Sequence, residues 1–151
     1  MNFDKAIARL AAGALLSAAM LAPLAAHAQD KPYAEGSVWN VSMVRVKAGM
    51  FDAYMQDILP LRKKINEEAI KQGFLLSSHI LTGSAVGRDD WNLIILDEFK
   101  NWAAFDGLSA KYEAIAHKFV GSEEVQTQIM SKRQDVREIL ANKPMQEILI
   151  R

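Results

Sequence analysis

The sequence has 151 residues, no cysteine and a formal net charge of zero. Half of its residues are hydrophobic, so the chain is expected to fold, and its length suits one domain with a short extra segment. Balanced charge argues against an electrostatic nucleic-acid binder. Without cysteine, the chain has no disulfide, no thiol nucleophile and no thiolate metal site.

The first 28 residues have the pattern of a secretory signal peptide. Two basic residues precede an apolar run at 10–24, and the Ala-His-Ala at 26–28 is a typical cleavage site. The run is shorter than the roughly 20 residues that cross a bilayer. We therefore expect cleavage near Ala28, no membrane anchor, and a bacterial periplasmic or secreted protein of 123 residues with a net charge of −1.

The mature chain begins with a flexible leader at 29–37, followed by the domain at 38–151. Alternating side chains predict a first strand over Val38–Val46, and apolar residues on both of its faces indicate a central strand. An amphipathic helix follows at Met50–Gln72, with Pro60 expected to kink or divide it.

The middle of the chain predicts two strands and a helix. The strands are Phe74–Thr82 and Trp91–Phe99, joined by a polar loop. A helix from Trp102 to Phe119 is expected to bend near Gly107 and to end at Gly121.

The C-terminal part holds a further helix that starts after Ser122 and a last strand at Met145–Ile150. The stretch Asp135–Leu140 fits either a helix or a strand, and we favour the helix. The element order is then β-α-β-β-α-(α)-β.

This order predicts an α+β, ferredoxin-like βαββαβ fold with a four-stranded antiparallel sheet and helices on one face. The uncovered face is expected to carry Asn40 and Ser42 together with apolar residues at alternating positions. A single chain would leave that apolar area exposed to water. The pattern therefore predicts a second copy of the chain on this face, in a two-fold homodimer.

Three segments carry a family resemblance. The strand that runs through Lys-Ala-Gly into a helix at 44–51, and the strand and helix start at 94–105, resemble the dimeric α/β-barrel superfamily. The segment 112–119, with its His-Lys pair, resembles the helix end of antibiotic-biosynthesis monooxygenases and haem-degrading monooxygenases. The resemblance implies two sheets that form a barrel across a homodimer, here in an exported form.

The haem-degrading branch of this resemblance implies three residues. Its helix histidine, the iron ligand, is matched by His117. Its first-strand asparagine is replaced by Ser42, with Asn40 one strand period away, and its third-strand tryptophan is replaced by Phe99. Since two of the three positions differ, we predict no cofactor, and haem held by His117 is the alternative.

His79 and His117 are the histidines of the mature chain and the candidate proton shuttles. Two histidines cannot form a three-histidine metal site. A mixed histidine and carboxylate site stays open, but no typical metal-binding spacing is present and no metal site is predicted. Packing within the sheet for His79, and interaction with the helix dipole for His117, are the alternatives.

Four further residues are candidates for binding a ligand. Trp39 and Trp91 could stack on a flat molecule, and an ion pair between Arg45 and Asp97 could orient a polar one. Ordinary core or interface packing for the tryptophans, and strand-edge solvation or a dimer salt bridge for the charged pair, are the alternatives that we favour.

Three functions fit these observations. The first is an exported dimer that binds a small organic molecule in a pocket enclosed by its sheets, without catalysis. The second is a monooxygenase, cofactor-independent or haem-linked, that uses the same pocket. The third is an assembly module without a ligand. We favour the first because no convergent set of catalytic residues is evident, and whether the protein is an enzyme stays open.

Overall fold

The computed structural model describes residues 31–87 and 89–151. These residues form one four-stranded sheet, three α-helices and a short 3-10 helix. The predicted signal peptide at 1–28 and the first two residues of the predicted leader lie outside the described residues.

The four strands form a single antiparallel sheet. They are β1 (Tyr33–Val46), β2 (Ser77–Thr82), β3 (Leu93–Phe99) and β4 (Arg137–Ile150), in the order β2-β3-β1-β4. This strand order with its intervening helices is the ferredoxin-like arrangement, so the predicted α+β fold class is confirmed. Within one chain the sheet is open and does not close into a barrel.

The helices are α1 (Phe51–Lys71), α2 (Leu108–Val120) and α3 (Glu123–Gln134), and the 3-10 helix Trp102–Phe105 precedes α2. The break predicted before α2 is therefore confirmed. By contrast, α1 runs through Pro60 as one helix, and the predicted division there does not occur.

Two glycines end helices where the sequence predicts it. Gly73 follows α1 with a φ of 78°, and Gly121 follows α2 with a φ of 99°. Side chains other than glycine are strained at such positive φ values. These glycines let the chain reverse direction, from α1 into β2 and from α2 into α3.

The first strand begins at Tyr33, five residues before the predicted start at Val38. Tyr33–Glu35 pair with Ile148–Ile150 of β4, so this part of the predicted flexible leader is paired strand. The two strands extend beyond the end of β3, whose pairing with β1 begins at Val38.

The predicted helix over Asp135–Leu140 is wrong. Helix α3 ends at Gln134, and β4 begins at Arg137, which pairs with Val46. Apolar residues in this stretch fit both periods, and the long pairing with β1 decides for the strand.

The hydrophobic core lies between the helices and the sheet, in two clusters. The first contains buried residues of β1, α1 and β3: Val44, Val46, Tyr54, Ile58, Leu93 and Ile95. The second joins the end of α1 to β3 and α2: Ala69, Phe74, Leu75, Phe99 and Ile115. On β3 the two clusters are separated by Asp97, which shares the face of Ile95 and Phe99.

The pairing register also assigns the two faces of β1. Asn40 pairs directly with Asp97, whose carboxylate accepts a hydrogen bond from Arg62 of α1, so Asn40 and Ser42 lie on the helix-covered face. The expectation that they lie on the uncovered face is wrong. That face carries the neighbouring side chains, which include Trp39 and Met43.

Candidate functional site

A cavity of about 220 Å³ lies between α1 and the helix-covered face of the sheet. This volume corresponds to roughly seven water molecules at about 30 Å³ each. Its walls come from α1, β3, α2, α3 and β4. The lining residues are Tyr54, Ile58, Leu61, Arg62, Ile65, Asn66, Ile95, Asp97, Tyr112, Arg133 and Arg137.

A charged network occupies the gap between the two core clusters. Arg62 Nη2 donates to Asp97 Oδ1 and, at 2.9 Å, to Ser78 Oγ. Ser78 Oγ also donates to Asp97 Oδ1 at 2.6 Å. The side chains of Arg62 and Asp97 are 24% and 14% exposed, so their ion pair is largely shielded from water. The network ties α1 to both β2 and β3.

Two further arginines approach the cavity from the C-terminal part of the chain. Arg137 Nη1 donates to the Tyr54 hydroxyl at 2.5 Å, and its guanidinium carbon lies 5.3 Å from the centre of the Tyr54 ring. Arg133 Nε donates to Asp57 Oδ2 at 2.8 Å. These contacts join α3 and β4 to α1, and they fix one side of the cavity.

Tyr112 of α2 completes the polar lining. Its ring packs edge-on against Phe74, with ring centres 5.2 Å apart. Burial, with the negative charge of Asp97, raises the pKa of the Tyr112 phenol to about 12, against the opposing charge of Arg62. The phenol is therefore a neutral hydrogen-bond donor at any physiological pH.

The raised pKa of Tyr112 predicts a loss of stability at high pH. An unfolded tyrosine has a pKa of about 10, so between pH 10 and 12 the unfolded chain releases a proton that the folded chain retains. This contribution is fully present below pH 10 and is lost as the pH rises to about 12. Two pKa units correspond to about 2.7 kcal/mol, which partial exposure of the ring reduces to roughly 1–2 kcal/mol.

The measurement compares urea unfolding of the wild type and Tyr112→Phe between pH 9 and 12. As the pH rises from 10 to 12, the free energy of unfolding of the wild type should fall by roughly 1–2 kcal/mol relative to that of Tyr112→Phe. A difference that stays constant over this range would contradict the raised pKa.

Positive charge exceeds negative charge in the cavity. Three arginines and one aspartate are among its lining residues. Asp57, which is outside the lining, pairs with one of these arginines, and a surplus of one positive charge remains. Surplus positive charge on a partly buried arginine at the cavity wall favours a ligand of opposite sign.

The predicted pair of Arg45 and Asp97 does not form. Asp97 lies in the cavity and pairs with Arg62, whereas Arg45 lies on the opposite face of the sheet and pairs with Glu138 at 2.6 Å. Arg45 also contacts Asp89 at 3.5 Å. The structure therefore separates these two candidates and places only Asp97 at the cavity.

The two tryptophans lie far apart. Trp39 pairs with Glu98 near the end of β3, whereas Trp91 precedes the start of β3. At about 3.4 Å per residue they are separated by on the order of 20 Å, too far to enclose one flat ligand. Trp39 instead faces His79, with ring centres 6.2 Å apart, on the face of the sheet away from the cavity.

His117 is exposed near the end of α2. Ligand atoms of Glu113, His117 and Glu123 lie within 4.8 Å of one another. All three side chains are exposed, and such groups are common on protein surfaces without an ion. His117 is not among the residues that line the cavity, so the structure does not bring this candidate to the site.

Sequence reasoning missed six polar residues of the cavity: Tyr54, Arg62, Asn66, Tyr112, Arg133 and Arg137. Helical spacing in α1 allows either Leu61 or Arg62 to face inward, and both line the cavity. The sequence pattern predicts Tyr112 as an ordinary core aromatic residue. Arg137 lies in Asp135–Leu140, which the sequence analysis assigns to a helix. A charged residue at an inward position of α1 was the available signal.

The surface of the sheet opposite the cavity, which we term the open sheet face, carries apolar side chains on all four strands. They are Trp39, Val41, Met43, Leu81, Ile94, Leu96 and Met145. Leu81 is 53% exposed and Met145 is 45% exposed. Charged groups also lie on this face: Arg45 pairs with Glu138, the carboxylate of Glu98 accepts from Ser77, and the exposed Lys143 of β4 lies beside Val41.

None of the helices in the described part of the chain is long and apolar enough to cross a membrane. No protein-family model matches the sequence, and no curated protein matches it significantly.

Proposed function

We propose that the protein is an exported homodimer that binds a small organic molecule in the cavity beneath α1. The observation that carries the proposal is the cavity itself, which combines apolar walls with arginine, aspartate and tyrosine side chains held by contacts within the chain. Binding sites for small molecules are typically concave, largely preformed and lined by apolar groups with a few fixed polar ones.

The location differs from the pocket between two sheets that the sequence suggests. The cavity lies under the helices of a single chain, so a ligand can be held without residues from a second copy. The oxygenase function implied by the family resemblance used His79 or His117 as a proton shuttle. Neither residue is among those that line the cavity, and binding without catalysis remains the favoured function.

The homodimer is supported by the open sheet face. Its apolar side chains range from the buried Val41 to the half-exposed Leu81 and Met145, and a second copy would cover the area that one chain leaves in water. Arg45 and Glu98 are bound within the chain, whereas the exposed Lys143 has to be accommodated at the edge of such an interface. Export is supported by the signal-peptide pattern in residues 1–28.

The binding function is tested with three single-ring probes, benzoate, benzamide and phenol, by ligand-observed NMR. At least one probe should show saturation transfer from the wild type. Leu61→Trp places a large ring at the cavity wall and should abolish the transfer. Leu59→Trp is the matched control, because Leu59 is 45% exposed on the same helix and does not line this cavity.

Two results would reject this function. Binding that persists in a folded Leu61→Trp variant would place the probes elsewhere on the protein. Failure of all three probes to bind the wild type would remove the support for a small-molecule site. Thermal unfolding of both variants establishes that they remain folded.

A further inference from the structure

We infer that the ligand of this cavity is a small organic carboxylate, held by Arg137 with its apolar body against α1 and β3. The inference rests on the proposed function and adds the chemical class of the ligand.

Arg137 is the main anchor for the carboxylate. Within the described residues it contacts the Tyr54 hydroxyl and ring, and no carboxylate lies within ion-pair distance of it. A guanidinium has five N–H donors, and the contact with Tyr54 uses the Nη1 atom. The remaining donors at the cavity wall suit the two oxygens of a planar carboxylate.

Arg62 adds positive charge at the cavity wall. Its Nη2 atom is bound by Asp97 and Ser78, and its Nε atom has almost no surface accessible from the cavity. A ligand oxygen in the cavity therefore does not reach Nε in this side-chain arrangement, and the carboxylate is assigned to the donors of Arg137.

The rest of the cavity limits the ligand. Ile58, Ile95 and Leu61 provide apolar walls, and the volume of about 220 Å³ fits a single-ring molecule. The surplus positive charge disfavours amines, and the apolar walls disfavour inorganic anions, which keep a strong hydration shell. An organic acid provides both a negative charge for the surplus positive charge and an apolar body that packs against the apolar walls.

The test compares benzoate with benzamide, which has nearly the same shape and no charge, by isothermal titration of the wild-type protein. Benzoate should bind on the order of tenfold more tightly. Arg137→Gln should remove this preference, whereas Arg151→Gln makes the same change of charge at the exposed C-terminus and should retain it. Inorganic phosphate, tested as a second anion, should compete only weakly with benzoate for the cavity.

The outcomes separate this inference from the function on which it rests. If benzamide or phenol binds in the cavity as tightly as benzoate, the carboxylate class is wrong and the binding function stands. If phosphate displaces benzoate at equal concentration, the site recognises anions without regard to an apolar body, and the inference is also wrong. Retention of the benzoate preference in Arg137→Gln would remove Arg137 as the anchor. If no probe binds, both proposals fail.

Discussion

Replacing Asp97 by alanine should lower the free energy of unfolding by about 3 kcal/mol. The substitution removes the acceptor shared by Arg62 and Ser78 and leaves the arginine largely shielded from water without its carboxylate. An uncompensated buried charge costs about 3–5 kcal/mol, and the partial exposure of both side chains places the expected loss at the lower end. Urea unfolding at neutral pH measures this loss directly.

Asp89→Ala is the matched control for this variant. Asp89 is also paired with an arginine, but its side chain is 95% exposed and Arg45 keeps its pair with Glu138, so its loss should cost less than about 1 kcal/mol. Equal losses in the two variants would contradict a special role for the Asp97 network. The double variant Arg62→Met with Asp97→Leu should recover most of the stability, because it removes the charges together and fills the space with apolar atoms.

The strand and helix order could be predicted because the apolar period changes between elements and glycines mark the changes. Gly73 and Gly121 sit at positive φ, and each separates elements whose types were predicted correctly on both sides. The beginning of β4 could not be predicted in the same way. Asp135–Leu140 has a local pattern that suits either period, and its strand structure depends on pairing with β1, a contact distant in sequence.

The prediction of which β1 side chains face away from the helices was wrong for a related reason. Val38 and Val44 point to the helices, whereas Trp39 and Val41 point away, so both faces look apolar in the sequence. The polar Asn40 then suggests a solvent-facing position. In the structure it lies beside Asp97, because the helix-covered face contains a charged network between its two core clusters.

The candidate site was predicted only at Asp97. Its partner Arg62 lies on α1, and the donors Tyr112 and Arg137 come from α2 and β4, so the site assembles from four separate parts of the chain. No spacing of residues along the sequence indicates that these four parts of the chain meet. The sequence places the charged Asp97 of β3 on an apolar face. Its pairing with Arg62 depends on the register of the sheet and on the rotation of α1 about its axis, which a local pattern does not indicate.

The largest expected effect on assembly comes from the centre of the open sheet face. Leu96 lies on β3, directly paired with Val41 on one side and His79 on the other. Leu96→Arg would bury an unpaired charge from each chain in the proposed dimer and should raise its dissociation constant by roughly 100-fold or more. In analytical ultracentrifugation, the wild type should sediment with the mass of two chains and the variant with that of one.

The single chain of this variant should remain folded, since Leu96 points away from the helices and the core lies on the other face. Leu59→Arg is the control, because it adds the same charge at an exposed position of α1 and should leave the mass at two chains. A wild type that sediments as one chain would reject the homodimer. A Leu96→Arg variant that keeps the mass of two chains would place the interface elsewhere. Because the ligand cavity lies under the helices of each chain, the monomeric variant should still bind the probes that the wild type binds, which separates assembly from binding in one molecule.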